Sequence, residues 1–341
     1  AAHPDKYMQI ERFDDLAIAK QKGLLGVGFD LEGSVMLQDM PEMVPVFAKL
    51  GVKQIHFAYN RNNSVSGGCH DVDIPLTDLG VEMVKAVNAS GMIMDCSHTG
   101  RQSSLDIMRV SSKPVVFSHA NPKVLGGHER CVDDEQIKAC ADTGGVIGIC
   151  GFQRFIKSPN APEVPDMIRH IDYAVKLVGV DHVGIGLDTM PSVAGTNDFP
   201  DGVDRAYYWP AERGYGPGAG GAAVFDPKKL PALADALIAG GYKPDDVDEL
   251  MAFIWESSRQ APGLRTRWLL SEQVLRKSKR TRELESMGQD DRAGRVLHGV
   301  EPSDVPPLVR EALIAPEASL SRPEEERDLL DSLESLANRL G

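Results

Sequence analysis

The chain has 341 residues, 42% of them hydrophobic, enough to fill one large barrel domain or two ordinary ones. A formal net charge of -13 and a pI of about 5.2 argue against the basic face that a nucleic-acid partner requires and favour a small or cationic substrate. No stretch is long and apolar enough to span a bilayer, no secretory signal is visible, and five scattered cysteines fit a reducing, cytoplasmic setting.

The first residue is Ala, so the chain is expected to be processed or truncated. Nothing before residue 20 is strand-like. Residues 22–33 read as a strand ending in Asp30-Leu31-Glu32-Gly33, and residues 41–50 as a short helix closed by Gly51. Val52 to Tyr59 is strand-like, and Leu76 to Ser90 is an amphipathic helix closed by Gly91. Strands at Met92–His98, Pro114–His119, Gly145–Gly151 and His182–Asp188 alternate with helices at Gln102–Ser111, Asp133–Thr143 and Pro162–Val178, with Asp133 as an N-cap. Cys96 and Cys150 fall in the strand-like runs as buried free thiols. A Gly/Pro-rich loop follows from Pro191 to Gly221, then helices near 227–240 and 244–256. Six strands alternating with helices indicate a parallel sheet wrapped by helices. Polar residues recur at the C-terminal strand ends, as at the mouth of a (β/α)8 TIM-barrel-like α/β fold. The remaining strands are expected upstream of residue 1. The reading divides the chain into a barrel domain, residues 1–256, and a charged helical C-terminal extension, residues 257–341.

Two segments carry the chemistry. Met94-Asp95-Cys96-Ser97-His98 and Val115-Val116-Phe117-Ser118-His119 are apolar runs that each place one imidazole at a strand tip. Two histidines on consecutive tips favour a metal site over two structural histidines. Glu32 is the best third ligand. Asp30 shares its strand face and is the rival, and a helix-capping role is the plainer reading of either carboxylate. Asp188, at the last recognisable strand tip, suits proton transfer near a metal, although an Asp before Pro191 also suits a turn. Tyr59 and Arg130 lie in the mouth by position, the first as a hydrogen-bond donor to a carbonyl or oxyanion, the second as a carboxylate receptor. His70, in a polar Gly-rich loop, reads as solvated rather than ligating, and His128 is ambiguous. Walker, Rossmann and Gly-x-Ser-x-Gly motifs are missing from the sequence.

Residues 22–190 resemble the membrane (renal) dipeptidase family of zinc hydrolases. The matching motifs are Leu31-Glu32-Gly33, Gly51-Val52 leading to Tyr59-Asn60, Met94 to His98, Pro114 to His119, Arg130 to Asp134, and Gly184 to Asp188. The resemblance implies a (β/α)8 barrel with two zinc ions that hydrolyses dipeptides. It makes Glu32 the carboxylate bridging the metals and His98 and His119 the imidazoles on one of them. Asp188 becomes the acid near the nucleophilic water and substrate amine, and Arg130 the receptor of the substrate carboxylate.

Three departures stand out. The family's early His-x-Asp pair is missing; His3-Pro4-Asp5 has the letters but neither the strand nor the distance. Tyr59 stands where the family usually has a histidine. The C-terminal Gly-Asn-aromatic-Arg segment is not found after Leu250. The expectation is therefore a zinc-dependent dipeptidase acting through a metal-activated water, with one Zn2+ site held by Glu32, His98 and His119. A second metal requires upstream ligands. Open sheet edges are to be covered by the tail or by a second subunit in a homodimer. The alternatives are a metal-dependent amidohydrolase on cyclic amides, lactams or N-acyl amino acids, and a degenerate, non-catalytic barrel.

Overall fold

The computed structural model describes residues 3–11, 15, 18–19, 21–188, 204–215 and 223–251. The proposed extension 257–341, and most of the loop 191–221, lie outside these residues. Six strands form one parallel sheet in simple chain order: β3 (Phe29–Glu32), β4 (Val52–His56), β5 (Ile93–Asp95), β6 (Val115–Ala120), β7 (Ile147–Ile149) and β8 (Val183–Ile185). Sequential order is the order of a barrel wall, whereas a doubly wound sheet reverses direction at a switch point.

The six expected strands are all present; five are shorter than their apolar runs, and β6 keeps its six residues but is shifted by one. One expectation fails. Tyr7–Gln9 (β1) is a strand, and it pairs in parallel with Leu25–Val27 (β2). The run 22–33 is thus broken at Gly28, with β2 paired to β1 and β3 paired to β4, and a register shift falls between Phe29 and Asp30. β1 and β2 form a two-stranded sheet of their own beside the six-stranded one. Three residues are too few to display alternation, so β1 has no periodic signature.

The helices form where apolar spacing and end signals agree. Asp78–Ser90 buries Met83, Val84 and Val87 on one side. Thr77 accepts the Gly80 N–H at its start, and Gly91 closes it with φ 69°. Asp133 and Gln136 form a reciprocal capping box ahead of Asp134–Asp142. Val164–Val178 turns Met167, His170, Ile171 and Ala174 inward at helical spacing. Every residue of β5 and β6 is buried, as expected of strands covered on both faces. Ile55, Phe57, Met94, Phe117, Ile147 and Ile149 form the strand side of the core, against Met83, Ile107, Ile137, Ile171 and Leu233 from the helices. Cys96 and Cys150 are buried free thiols. The Pro191–Gly221 stretch is not loop throughout, since Arg205–Tyr208 is a helical turn and Ala211–Arg213 a 3-10 turn.

Candidate metal and active site

Parallel pairing at matched register sets polar residues in a row across the sheet. Glu32 lies opposite His56, and His56 opposite Asp95. One turn beyond β5 and at the end of β6 stand His98 and His119. Their Nε2 atoms face each other at 2.9 Å, and Glu32 Oε1 is 3.8 Å from His119 Nε2. One donor atom from each of the three residues lies within 4.8 Å of the others. Two imidazole nitrogens on a tetrahedral ion at about 2.0–2.1 Å lie roughly 3.3 Å apart, a few tenths of an ångström from the spacing seen.

The surrounding bonds decide which lone pairs are free. Asn60 Nδ2 donates to Tyr208 O at 3.0 Å, which orients the amide so that Oδ1 faces His98 Nδ1 at 2.7 Å. An amide oxygen only accepts, so Nδ1 carries the proton and Nε2 keeps its lone pair. His119 Nδ1 meets Ser118 Oγ at 2.8 Å. Burial holds both rings neutral, with Arg130 adding to the effect on His98, while Asp188 and Glu32 oppose it at His119. Neutral imidazole is the ligating form. His98 has φ 65° and Asn60 φ 63°, backbone that most side chains avoid and that here is fixed by mutual contact.

Asp95 ties the two tips together. Its Oδ1 accepts the N–H groups of Ser97 and Ser118, and its Oδ2 accepts Gln54 Nε2 and bonds His56 Nε2 at 2.6 Å. Burial raises this carboxyl, but the charge and hydrogen bond of His56, with the charge of His119 and the Ser118 bond, hold it well below the usual range. Burial pushes His56 down, but the charge and hydrogen bond of Asp95, with Asp30 and Glu32, lift it to about 9.

Arg130 is buried behind the histidines. Its guanidinium lies 5.3 Å from the Phe155 ring, Nη2 reaches His119 O at 3.4 Å, and Nε has no partner among the described residues. It borders a cavity of about 240 Å³ that is also lined by Cys69, His70, His98 and Glu129. Tyr59 stacks on His98, centroids 4.1 Å apart, and takes a hydrogen bond from Trp209. Burial, then the charges of Glu32 and Asp188, keeps its phenol protonated. Asp188 follows β8 with φ 58°. Gly186, two residues earlier, abuts β6 so closely that a Cβ would stand 1.8 Å from Ser118 O.

His70 departs from expectation. It is buried, not solvated: Nδ1 donates to Glu129 Oε2 at 3.0 Å and Nε2 accepts from Tyr215 Oη at 2.9 Å. Burial and the nearby Arg130 lower it to about 3, matching that neutral pattern. His128 donates from Nε2 to Arg213 O and accepts the Arg130 N–H at Nδ1, so it supports Arg130 and is no ligand.

Residues 1–210 match the family described as membrane dipeptidase (peptidase family M19). The chain belongs to the membrane dipeptidase family. Among curated proteins it is 29% identical to an uncharacterized dipeptidase of Schizosaccharomyces pombe over 58% of this chain and 48% of the relative. It is also 29% identical to a dipeptidase of Claviceps purpurea over the same shares. The chain thus spans about half the length of these two relatives. Among solved structures, an amidohydrolase from Pseudomonas aeruginosa is 28% identical with a TM-score of 0.64, covering 72% of this chain and 76% of that one. A Rhodobacter sphaeroides metallo peptidase, liganded with a phosphinate mimic of L-Ala-D-Ala, shares the fold at 20% identity and a TM-score of 0.56, covering 73% and 66%. The dipeptidase family's β/α barrel is therefore the architecture here, and the site can hold a metal ion.

Three residues of the site take no role from the sequence: Asn60 and Asp95, which lie inside the matching motifs, and His56, which lies between Val52 and Tyr59. The signal for His56 is alternation, because Gln54 and His56 are polar residues two apart and share one face of β4.

Proposed function

We propose that this chain is a zinc-dependent dipeptidase. The observation that carries the reading is the convergence of the His98 and His119 Nε2 atoms beside Glu32. These three residues would hold the ion, which when bound polarises a scissile carbonyl and lowers the pKa of water. Arg130 would take the substrate carboxylate on its unpaired Nε. Asp188 would accept the proton of the attacking water and face the substrate ammonium. Tyr59, protonated and already accepting from Trp209, has its own O–H free to donate to the developing oxyanion. The five free thiols support a cytoplasmic setting. No helix among the described residues is long and apolar enough to cross a membrane. Leu25 and Phe29, exposed beside β1 and β3, support a homodimer covering that side.

A second reading, hydrolysis of N-acyl amino acids or cyclic amides, is favoured by Tyr59 stacked where it narrows the mouth over His98. A panel of dipeptides, N-acyl amino acids and lactams, assayed before and after chelation and after zinc is restored, separates the readings. Zinc-dependent cleavage of dipeptides is expected. Turnover of the other amides alone would move the assignment to the second reading. A folded protein that retains no zinc and cleaves nothing would leave a non-catalytic barrel.

A further inference from the structure

One wall of the mouth comes from outside the sheet. Tyr59 lies flat on His98, ring planes 21° apart and centroids 4.1 Å apart, so its phenol rests on one of the two imidazoles of the candidate centre. Trp209 meets that phenol from the segment 204–215, its ring 5.7 Å away and nearly perpendicular at 85°. An indole has one polar hydrogen, on Nε1, and no acceptor. Trp209 gives that hydrogen to the Tyr59 oxygen. The O–H of a phenol lies in the ring plane, so a donor on one side of the oxygen leaves the proton on the other. The charges felt at this oxygen are those of Glu32, Asp188 and Arg130, which sets it inside the mouth.

The segment that carries Trp209 is held on both sides of it. Tyr208 O accepts Asn60 Nδ2 at 3.0 Å, and Oδ1 of the same amide meets His98 Nδ1 at 2.7 Å. Tyr207 O accepts Arg61 Nε, and the Arg61 guanidinium lies 4.9 Å from the Tyr207 ring. Beyond Trp209, Arg213 pairs with Glu129 and donates from Nη2 to His70 O at 3.2 Å, and Tyr215 Oη bonds His70 Nε2 at 2.9 Å. The indole thus takes its place from Asn60, the residue that also orients His98.

We infer that Trp209 is a positioning residue whose N–H aims the Tyr59 O–H at the oxygen of the scissile carbonyl, where negative charge develops. A donor aimed before the reaction needs no reorganisation in the transition state. Without Trp209 the phenol O–H has two in-plane directions, and the carboxylates of Glu32 and Asp188 compete for it. The inference rests on the functional reading of Tyr59 as the donor to the oxyanion.

The test compares Tyr59→Phe, Trp209→Phe, Trp209→His and the Tyr59→Phe/Trp209→Phe double variant in the zinc-loaded full chain. Zinc content and circular dichroism show that each is loaded and folded. The substrate is whichever of the dipeptides, N-acyl amino acids and lactams the unaltered chain cleaves fastest. Loss of the oxyanion donor in Tyr59→Phe is expected to lower kcat about 100-fold. Trp209→Phe keeps an aromatic ring and is expected to lower kcat about 5- to 10-fold with KM unchanged, as for one neutral hydrogen bond felt only in the transition state. Trp209→His retains a ring N–H and is expected to recover part of that loss. The double variant is expected to be no slower than Tyr59→Phe, because the two groups act as a unit. Indole N–H resonances of isotopically labelled protein give a readout without turnover. The chain has three tryptophans, and the resonance missing from Trp209→Phe is that of Trp209. It is expected to move upfield and exchange faster with solvent in Tyr59→Phe. Normal kcat in Trp209→Phe beside a slow Tyr59→Phe, a loss confined to KM, a multiplied loss in the double variant, or an indole resonance unmoved by Tyr59→Phe overturns the positioning role and leaves the functional reading. Normal kcat in Tyr59→Phe, or no turnover by the unaltered chain, overturns the role of Tyr59 as well.

Discussion

Single side chains here act through the hydrogen bonds that aim them. Asn60 is the clearest case, because its φ of 63° suits Asn or Gly and its Oδ1 sets the tautomer of His98. Asn60→Gly keeps the backbone but removes the acceptor. Zinc affinity, measured by competition with a chromophoric chelator, is expected to fall about 10- to 100-fold, as when other supporting partners of metal ligands are removed. Asn60→Asp retains an acceptor and is expected to lose less. Equal losses in the two variants would assign Asn60 a packing role alone. Arg130 offers a sharper functional contrast. Loss of one charge-assisted hydrogen bond of about 1.5–3 kcal/mol predicts that Arg130→Met lowers kcat/KM on a dipeptide by about 10- to 100-fold. The unaltered enzyme should discriminate against the C-terminally amidated dipeptide, and the variant should not. Persistent discrimination would mean that the carboxylate is read elsewhere.

At the scale of elements, close approach places the tips. Gly186 lets the end of β8 lie against Ser118, which brings Asp188 toward His119. The obstacle to a methyl group is a backbone carbonyl, which cannot rotate away. Gly186→Ala is therefore expected to destabilise by at least the 1–3 kcal/mol typical of overpacking, read as a shift in urea midpoint, and to reduce zinc affinity as well. Unchanged zinc binding in that variant would separate the strand contact from the site. Asp133→Ala removes a cap worth about 1 kcal/mol and the 2.5 Å contact with Arg101 Nε; it should lower the midpoint without altering metal content. Much of this level was legible in the sequence. The Ser-His strand ends, the Asp133 cap and the chain order of strands follow from local pattern. What local pattern lacks is long-range partners. His70 lies in a run of Gly67, Gly68 and Cys69 that looks solvated, and only Glu129 and Tyr215, far along the chain, bury it. His56 is likewise unremarkable until register sets it between Glu32 and Asp95.

For the whole molecule, a barrel interior holding several buried imidazoles makes stability depend on pH in two opposed ways. Burial, partly offset by a bond to Ile156 O, lowers His170 to about 4, and burial with Arg130 lowers His70 to about 3, both from 6.5. Below pH 6.5 the unfolded chain takes up protons at these positions that the folded chain refuses. Their contribution is complete above 6.5 and falls as the pH drops toward 4. His56 has the opposite sign. Raised to about 9, it contributes fully below 6.5 and loses that contribution as the pH climbs through 9. The chelated protein is therefore expected to be most stable near pH 6.5, with urea midpoints declining on both sides. The acid limb is shared with the other buried rings, His98 and His119, and is opposed by Asp30, which burial raises to about 7; His170 and His56 give one separable part of each limb. His170→Asn should make the acid limb shallower by about one proton, because the neutral ring between Asn121 and Ile156 is gone. His56→Gln should flatten the alkaline limb and leave the acid one. An alkaline limb that survives His56→Gln would place its origin in another group and remove the Asp95–His56 pair from this role.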